Sequence, residues 1–231
     1  MINNKIDKKE FSEKIFLVLV LIFILINAYV RKDNFYAFLS AICGITYTFL
    51  AGKGQPICYL FGVIGSFFYG ILAFQNALWG NLILYLGYYL PMQIIGYFKW
   101  SVNLKKNKKI VKKIYLPRNE FKLLFFILSI LSVLIYFLLK LLNDMNPLLD
   151  SVTAVFSIGG MYLTVRRAIE QWIFWMVVNL LSLIMWLIIA LGGVKIYSTI
   201  AMWTIYLILA IYFYIIWLKE LRSDEYTCNN K

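Results

Sequence analysis

The sequence predicts an all-α integral membrane protein with eight transmembrane helices, on three grounds: an apolar composition, eight apolar runs of spanning length, and a one-sided distribution of basic residues. Of the 231 residues, 62% are hydrophobic and only 15% charged, and the mean hydropathy is +0.77. A soluble domain has no way to hide that much apolar surface, so the chain belongs in lipid.

The runs cover residues 15–30, 35–50, 57–74, 78–98, 121–142, 148–165, 172–191 and 196–218. Each is near the ~20 residues that cross a hydrocarbon core about 30 Å thick. The first follows Lys5, Lys8, Lys9 and Lys14 as a signal peptide would, but no small-residue cleavage motif follows it. Its apolar stretch also exceeds a signal core, so it reads as a retained extra helix. The second and third carry small-residue rows, Ser40/Gly44/Thr48 and Gly62/Ser66/Gly70, which let helix backbones approach closely. In the fourth, Pro91 removes a backbone hydrogen bond beside Gly87, Gln93 and Gly96, which predicts a hinge and a cavity wall.

Charge supports this count and orients it. With eight spans, nineteen Lys and Arg fall on the side that holds both termini, and four (Arg31, Lys32, Lys140, Lys195) on the other. The positive-inside rule places both termini and the Lys-rich loop after the fourth span in the cytoplasm, where the lysines meet lipid head groups. The net charge of +12 is therefore a matter of orientation, and nucleic acid is not an expected partner.

An internal repeat appears at an offset of 116 residues, where Gly44, Thr48 and Gln55 fall on Gly160, Thr164 and Gln171. Spans two to four then match spans six to eight, and the fifth connects them, giving a 3+1+3 core of parallel repeats. The expected division is 1–34 (extra helix), 35–100 (first bundle), 101–147 (basic loop and connector), 148–219 (second bundle) and 220–231 (cytoplasmic tail).

Chemistry is sparse. The chain has no His, and Cys43, Cys58 and Cys228 form no paired motif, so neither a metal site nor a cofactor is expected. Without a nucleophile beside a base, or paired carboxylates, an enzyme is not expected either. The spans are nearly free of ionisable groups, which argues against ion coupling. Asp150 sits near the start of the sixth span, where a carboxylate suits a helix N-terminus. One helix face stands out: Trp172, Trp175 and Asn179, at spacings of three and four. Two indoles can hold a flat ring and the buried amide can fix its polar edge, while ordinary packing is the plain alternative. Gln93 offers a second amide from the other repeat, and Tyr47, Tyr89 and Trp203 lie at mid-membrane depth as candidate walls.

The motif Trp172-x-x-Trp175-x-x-x-Asn179 resembles the Pnu family of vitamin transporters, as does the stretch from Tyr69-Gly70 through Phe74-Gln75 to Pro91-x-Gln93-x-x-Gly96-x-x-x-Trp100. The similarity spans residues 35 to 219. It implies a fold of the full-length SWEET type, facilitated uptake of nicotinamide riboside, trapping by a cytoplasmic substrate kinase, and a homotrimer in the cell membrane. Two positions where relatives carry amides hold Gly65 and the apolar run Ile208-Leu209-Ala210-Ile211 here. Thiamine, riboflavin and deoxynucleosides therefore stay open as substrates, with a SWEET-like sugar carrier or a membrane assembly protein as more distant readings.

Overall fold

The computed structural model describes residues 2–31, 34–75, 82–105, 109–141, 147–191 and 197–229. The described residues are mostly helical: α1 (Ile2–Arg31), α2 (Phe35–Gly52), α3 (Cys58–Gln75), α4 (a π-helical Ile83–Tyr89 running into α-helical Leu90–Ser101), α5 (Arg118–Leu141), α6 (Pro147–Arg166), α7 (Gln171–Leu191) and α8 (Tyr197–Asn229). Six of these, α1, α2, α3, α5, α6 and α8, are long and apolar enough over their described residues to cross a membrane. Asn34 opens α2 by accepting the Tyr36 amide on its side chain at 2.8 Å, the usual way to satisfy an orphan donor at a helix start. α1 and α5 bury almost none of their apolar side chains, as helices facing lipid do.

Two compact units emerge, one of residues 1–50 and 57–91, the other of 51–56 and 92–231. In the first, α3 packs against the π-helical segment. Its glycines are closely approached by neighbours: a Cβ on Gly70, in the small row, would meet Leu86, and one on Gly65, beside it, would lie 3.1 Å from the Cys43 Cβ. The π register ends just before Pro91, and the Leu90 amide reaches back five residues to Tyr85 O. Pro91 has no amide to donate and its ring crowds the carbonyl one turn back, so a wider turn there relieves the clash. At the proline where a hinge was expected, the structure shows a π segment just before it.

In the second unit, α7 packs against both α6 and α8, and α6 lies against α5. Gly159 is the close-approach point, since a Cβ there would sit 2.6 Å from the Phe174 ring and 2.7 Å from Leu128. Leu128, Val155, Leu163 and Phe174 form the core around it.

The segment after α4 bridges two loops. Val111 N donates to Gly54 O at 2.8 Å, Ile114 N to Arg167 O at 3.1 Å, and Ile169 N to Ile114 O at 3.0 Å. Both accepting loops turn through left-handed backbone, at Gly54 (φ 71°) and Arg167 (φ 63°). After α6 the turn is a Schellman motif, with Ala168 N bonded to Leu163 O and Arg167 N to Thr164 O, each at 3.0 Å. An arginine in the position that glycine usually takes is strained, and the two bonds of the bridging segment hold it there.

The lysines of this segment are expected to meet lipid head groups, and Lys113 departs from that. It is buried, with Nζ 2.7 Å from the Glu220 carboxylate and 4.8 Å above the Trp217 ring. A buried ammonium needs such partners to offset its lost hydration. Lys105 approaches the same carboxylate at 3.9 Å.

Candidate functional site

The first turn of α7 is fixed before its functional residues begin. Gln171, almost fully buried, returns its amide to Ala168 O at 3.0 Å, and the Leu116 amide is shared by both Glu170 carboxylate oxygens at 3.2 Å. Burial pushes the Glu170 carboxyl above its ordinary range, and the hydrogen bonds it accepts oppose that rise.

From this start the two indoles part. Trp172 is 2% exposed and packs on α8, with its ring 5.6 Å from Phe213 and 5.6 Å, edge-on, from Trp217. Its buried Nε1 has no hydrogen-bond partner among the described residues. Trp175 is half-buried and turns to α6, where its ring lies over Gly160 and its Nε1 donates to Thr164 Oγ1 at 3.1 Å. Asn179, on the same helix, is 6% exposed. Gln93 is buried in α4, in the same unit as α7. Trp203 is half-buried in α8 with Tyr206 edge-on at 5.9 Å.

Tyr47 and Tyr89 belong to the other unit. The Tyr47 ring lies 5.9 Å from Tyr59, and its hydroxyl is buried with no partner among the described residues. Tyr89 meets Tyr85 edge-on at 4.9 Å, and Tyr85 stacks on Tyr69 at 4.0 Å. Tyr85 and Tyr89, four residues apart on α4, share a face, and Tyr85 carries the contact to α3.

Three residues of this region carry roles that the sequence does not announce. Thr164 holds two indoles, accepting Trp175 on its hydroxyl and Trp100 Nε1 on its carbonyl at 2.9 Å. Trp217 Nε1 donates to Gly52 O at 2.7 Å, and the Trp100 and Trp217 rings are 6.4 Å apart. A signal was present in the repeat: Trp100 and Trp217 fall one residue off the 116-residue offset that pairs Thr48 with Thr164. Both threonines bond the carbonyl four residues back, Thr48 to Gly44 at 3.0 Å and Thr164 to Gly160 at 2.8 Å.

Residues 34–219 match the nicotinamide mononucleotide transporter family. The chain belongs to that family. It is 31% identical over 218 residues to the nicotinamide riboside transporter PnuC of Neisseria mucosa, covering 90% of this chain and 82% of that protein. Against the nicotinamide riboside transporter PnuC of Haemophilus influenzae, identity is 28% over 202 residues and 86% of each chain. The crystal structure of the vitamin B3 transporter PnuC superposes with a TM-score of 0.77 at 28% identity, over 92% of both chains. The matched region coincides with the 35–219 core read from the Trp and Asn motif, and the chain is a multi-pass membrane protein of the Pnu type.

Proposed function

We propose that this protein carries nicotinamide riboside into the cell by facilitated diffusion, through a site that includes Trp175, Asn179 and Gln93. The observation that carries the substrate is the near full-length match to relatives named nicotinamide riboside transporters. The chemistry of α7 agrees with it. A half-buried indole attracts a pyridinium by about 2 kcal/mol once both are desolvated, so recognition needs no buried carboxylate. The Asn179 amide offers a donor and an acceptor to a carboxamide or a sugar hydroxyl. Trp172, packed on α8, supports the helix that presents them, with Trp203 of the same unit as a candidate wall.

In this reading α1 to α8 all span the membrane, with α1 extra and α2–α4 and α6–α8 as parallel repeats of the full-length SWEET type joined by α5. The aligned pairs Gly44/Thr48 and Gly160/Thr164 support the repeat. The division into 1–34, 35–100, 101–147, 148–219 and 220–231 follows from it. Basic-residue asymmetry supports cytoplasmic termini. Transport is alternating access, with a substrate kinase trapping the product inside and three copies assembling in the membrane.

A second reading is favoured by one contact. Gly65 supplies no side-chain amide, and a Cβ there would already lie 3.1 Å from the Cys43 Cβ. Such a site suits a Pnu-type carrier of thiamine, riboflavin or a deoxynucleoside. Calorimetry of the purified protein against nicotinamide riboside, these three and a plain sugar separates the readings. Nicotinamide riboside binding tightest supports the first; silence toward it overturns it. In proteoliposomes, uptake should equilibrate without a proton or sodium gradient, and accumulation that needs one would refute passive transport.

A further inference from the structure

We propose that Thr164 is a positioning residue for the substrate: with Gly160 it forms a seat that sets the plane of the Trp175 indole before any ligand arrives. The inference rests on the reading of Trp175 as part of the site. Thr164 is 1% exposed, one turn after Gly160 on α6. Its hydroxyl has a single proton, and that proton goes to Gly160 O at 2.8 Å. The lone pairs left over receive the Trp175 Nε1 proton at 3.1 Å. This bond fixes rotation of the indole within its contact on α6.

Gly160 sets the height of the same ring. A Cβ at Gly160 would lie 3.1 Å from Trp175 Cε2 and 3.3 Å from Cδ2 and Cζ2, so the indole rests on bare backbone. The seat itself is held in place. The Thr164 carbonyl accepts Arg167 N at 3.0 Å and Trp100 Nε1 at 2.9 Å, which ties the last turn of α6 from two directions. A ring that stacks on Trp175 therefore meets a surface whose height and tilt are already set, and affinity depends on a hydroxyl the substrate never touches.

The test isolates that hydroxyl. Thr164→Val keeps the shape and the backbone carbonyl that Trp100 uses, and Thr164→Ser keeps the hydroxyl. Each is made in the wild type and in Trp175→Phe, whose ring has no N–H to hold, and nicotinamide riboside binding is measured by calorimetry. In the wild-type background Thr164→Val should weaken binding about five-fold, as expected for one neutral hydrogen bond. Thr164→Ser should stay within about two-fold of wild type, since the bond is kept. In the Trp175→Phe background the valine change should cost nothing further. Unchanged affinity for Thr164→Val, or the same loss in both backgrounds, overturns the proposal while Trp175 stays in the site. A Trp175→Phe protein that binds like the wild type overturns the site reading, and this one with it. If Thr164→Val yields no folded protein, Gly160→Ala, whose Cβ lifts the same ring, takes its place in the cycle: a loss confined to the wild-type background supports the seat, and no loss, or an equal loss in both backgrounds, overturns it.

Discussion

Replacing Gly52 by alanine should destabilise the protein far more than the same change at Gly87. A Cβ on Gly52 would stand closer than 3.0 Å to three carbons of the Phe213 ring, a separation real Cβ atoms do not show. Phe213 is fully buried, with Trp172 at 5.6 Å and Tyr212 at 5.2 Å, so its ring has no free space to enter. Overpacking of this kind costs about 1–3 kcal/mol. Gly52 O also accepts the Trp217 indole at 2.7 Å, and a shift that breaks this buried bond adds roughly 1–3 kcal/mol. Alanine's better helix propensity returns about 1 kcal/mol, leaving a net loss of about 1–5 kcal/mol. At about 2–4 °C per kcal/mol for a chain of this size, the melting midpoint should fall by roughly 2–20 °C. Intrinsic-fluorescence melting of the detergent-purified protein reads the shift. Gly87 is the control, because its Cβ would meet only Ile83 at an ordinary 3.8 Å, so Gly87→Ala should match the wild type or exceed it slightly. A Gly52→Ala protein that melts with the wild type, or a Gly87→Ala protein that falls as far, would show that the Gly52 carbonyl and Phe213 are not packed as described.

Three further outcomes follow from the site, the loops and the charges. Trp175→Ala should weaken nicotinamide riboside binding by at least about 1 kcal/mol, and Asn179→Leu by a similar amount through an unpaired polar edge, in calorimetry on folded protein; wild-type affinity in both would move the site elsewhere. The Glu170 carboxyl is raised by burial, so its contribution to stability is full below the ordinary carboxylate range and is lost as pH rises through the folded value. Melting at several pH values should therefore show Glu170→Gln gaining on the wild type from acid toward neutral pH, and a difference that stays flat would contradict the buried carboxyl. Cysteines placed between Lys105 and Lys113 should resist an impermeant thiol reagent added to intact cells while one at Asn34 reacts, and strong labelling of the loop would end the eight-span reading.

The helices were legible because lipid imposes a simple rule on length and polarity. The runs 57–74 and 121–142 emerge as Cys58–Gln75 and Arg118–Leu141, differing from expectation by three residues or fewer. Lys113 was not legible, because a lysine in a basic loop reads as solvated until Glu220 and the Trp217 ring, about a hundred residues on, are brought to it. The shared face of Trp172 and Trp175 was only half legible. Three helical residues fall about 60° short of a full turn, and that difference sends one indole to α8 and the other to α6. The π segment escaped because propensity does not distinguish its register from that of an α-helix, although Pro91 marked where the helix had to yield. Asn179 was expected to face the protein interior, since lipid gives an amide no partner, and it is buried, as is Gln93.

The bond from Trp217 to Gly52 joins residues 165 positions apart, and that separation becomes a delay when the chain is made. At roughly 5–20 residues per second, the end of α2 leaves the ribosome about 8–33 s before the indole that will cap its carbonyl. Through that interval the Gly52 carbonyl must rely on water at the membrane surface. The nascent helix can thus enter lipid early while its C-terminal end stays unsealed. Closure of that end is a late event in biogenesis, because it waits for α8 to be made.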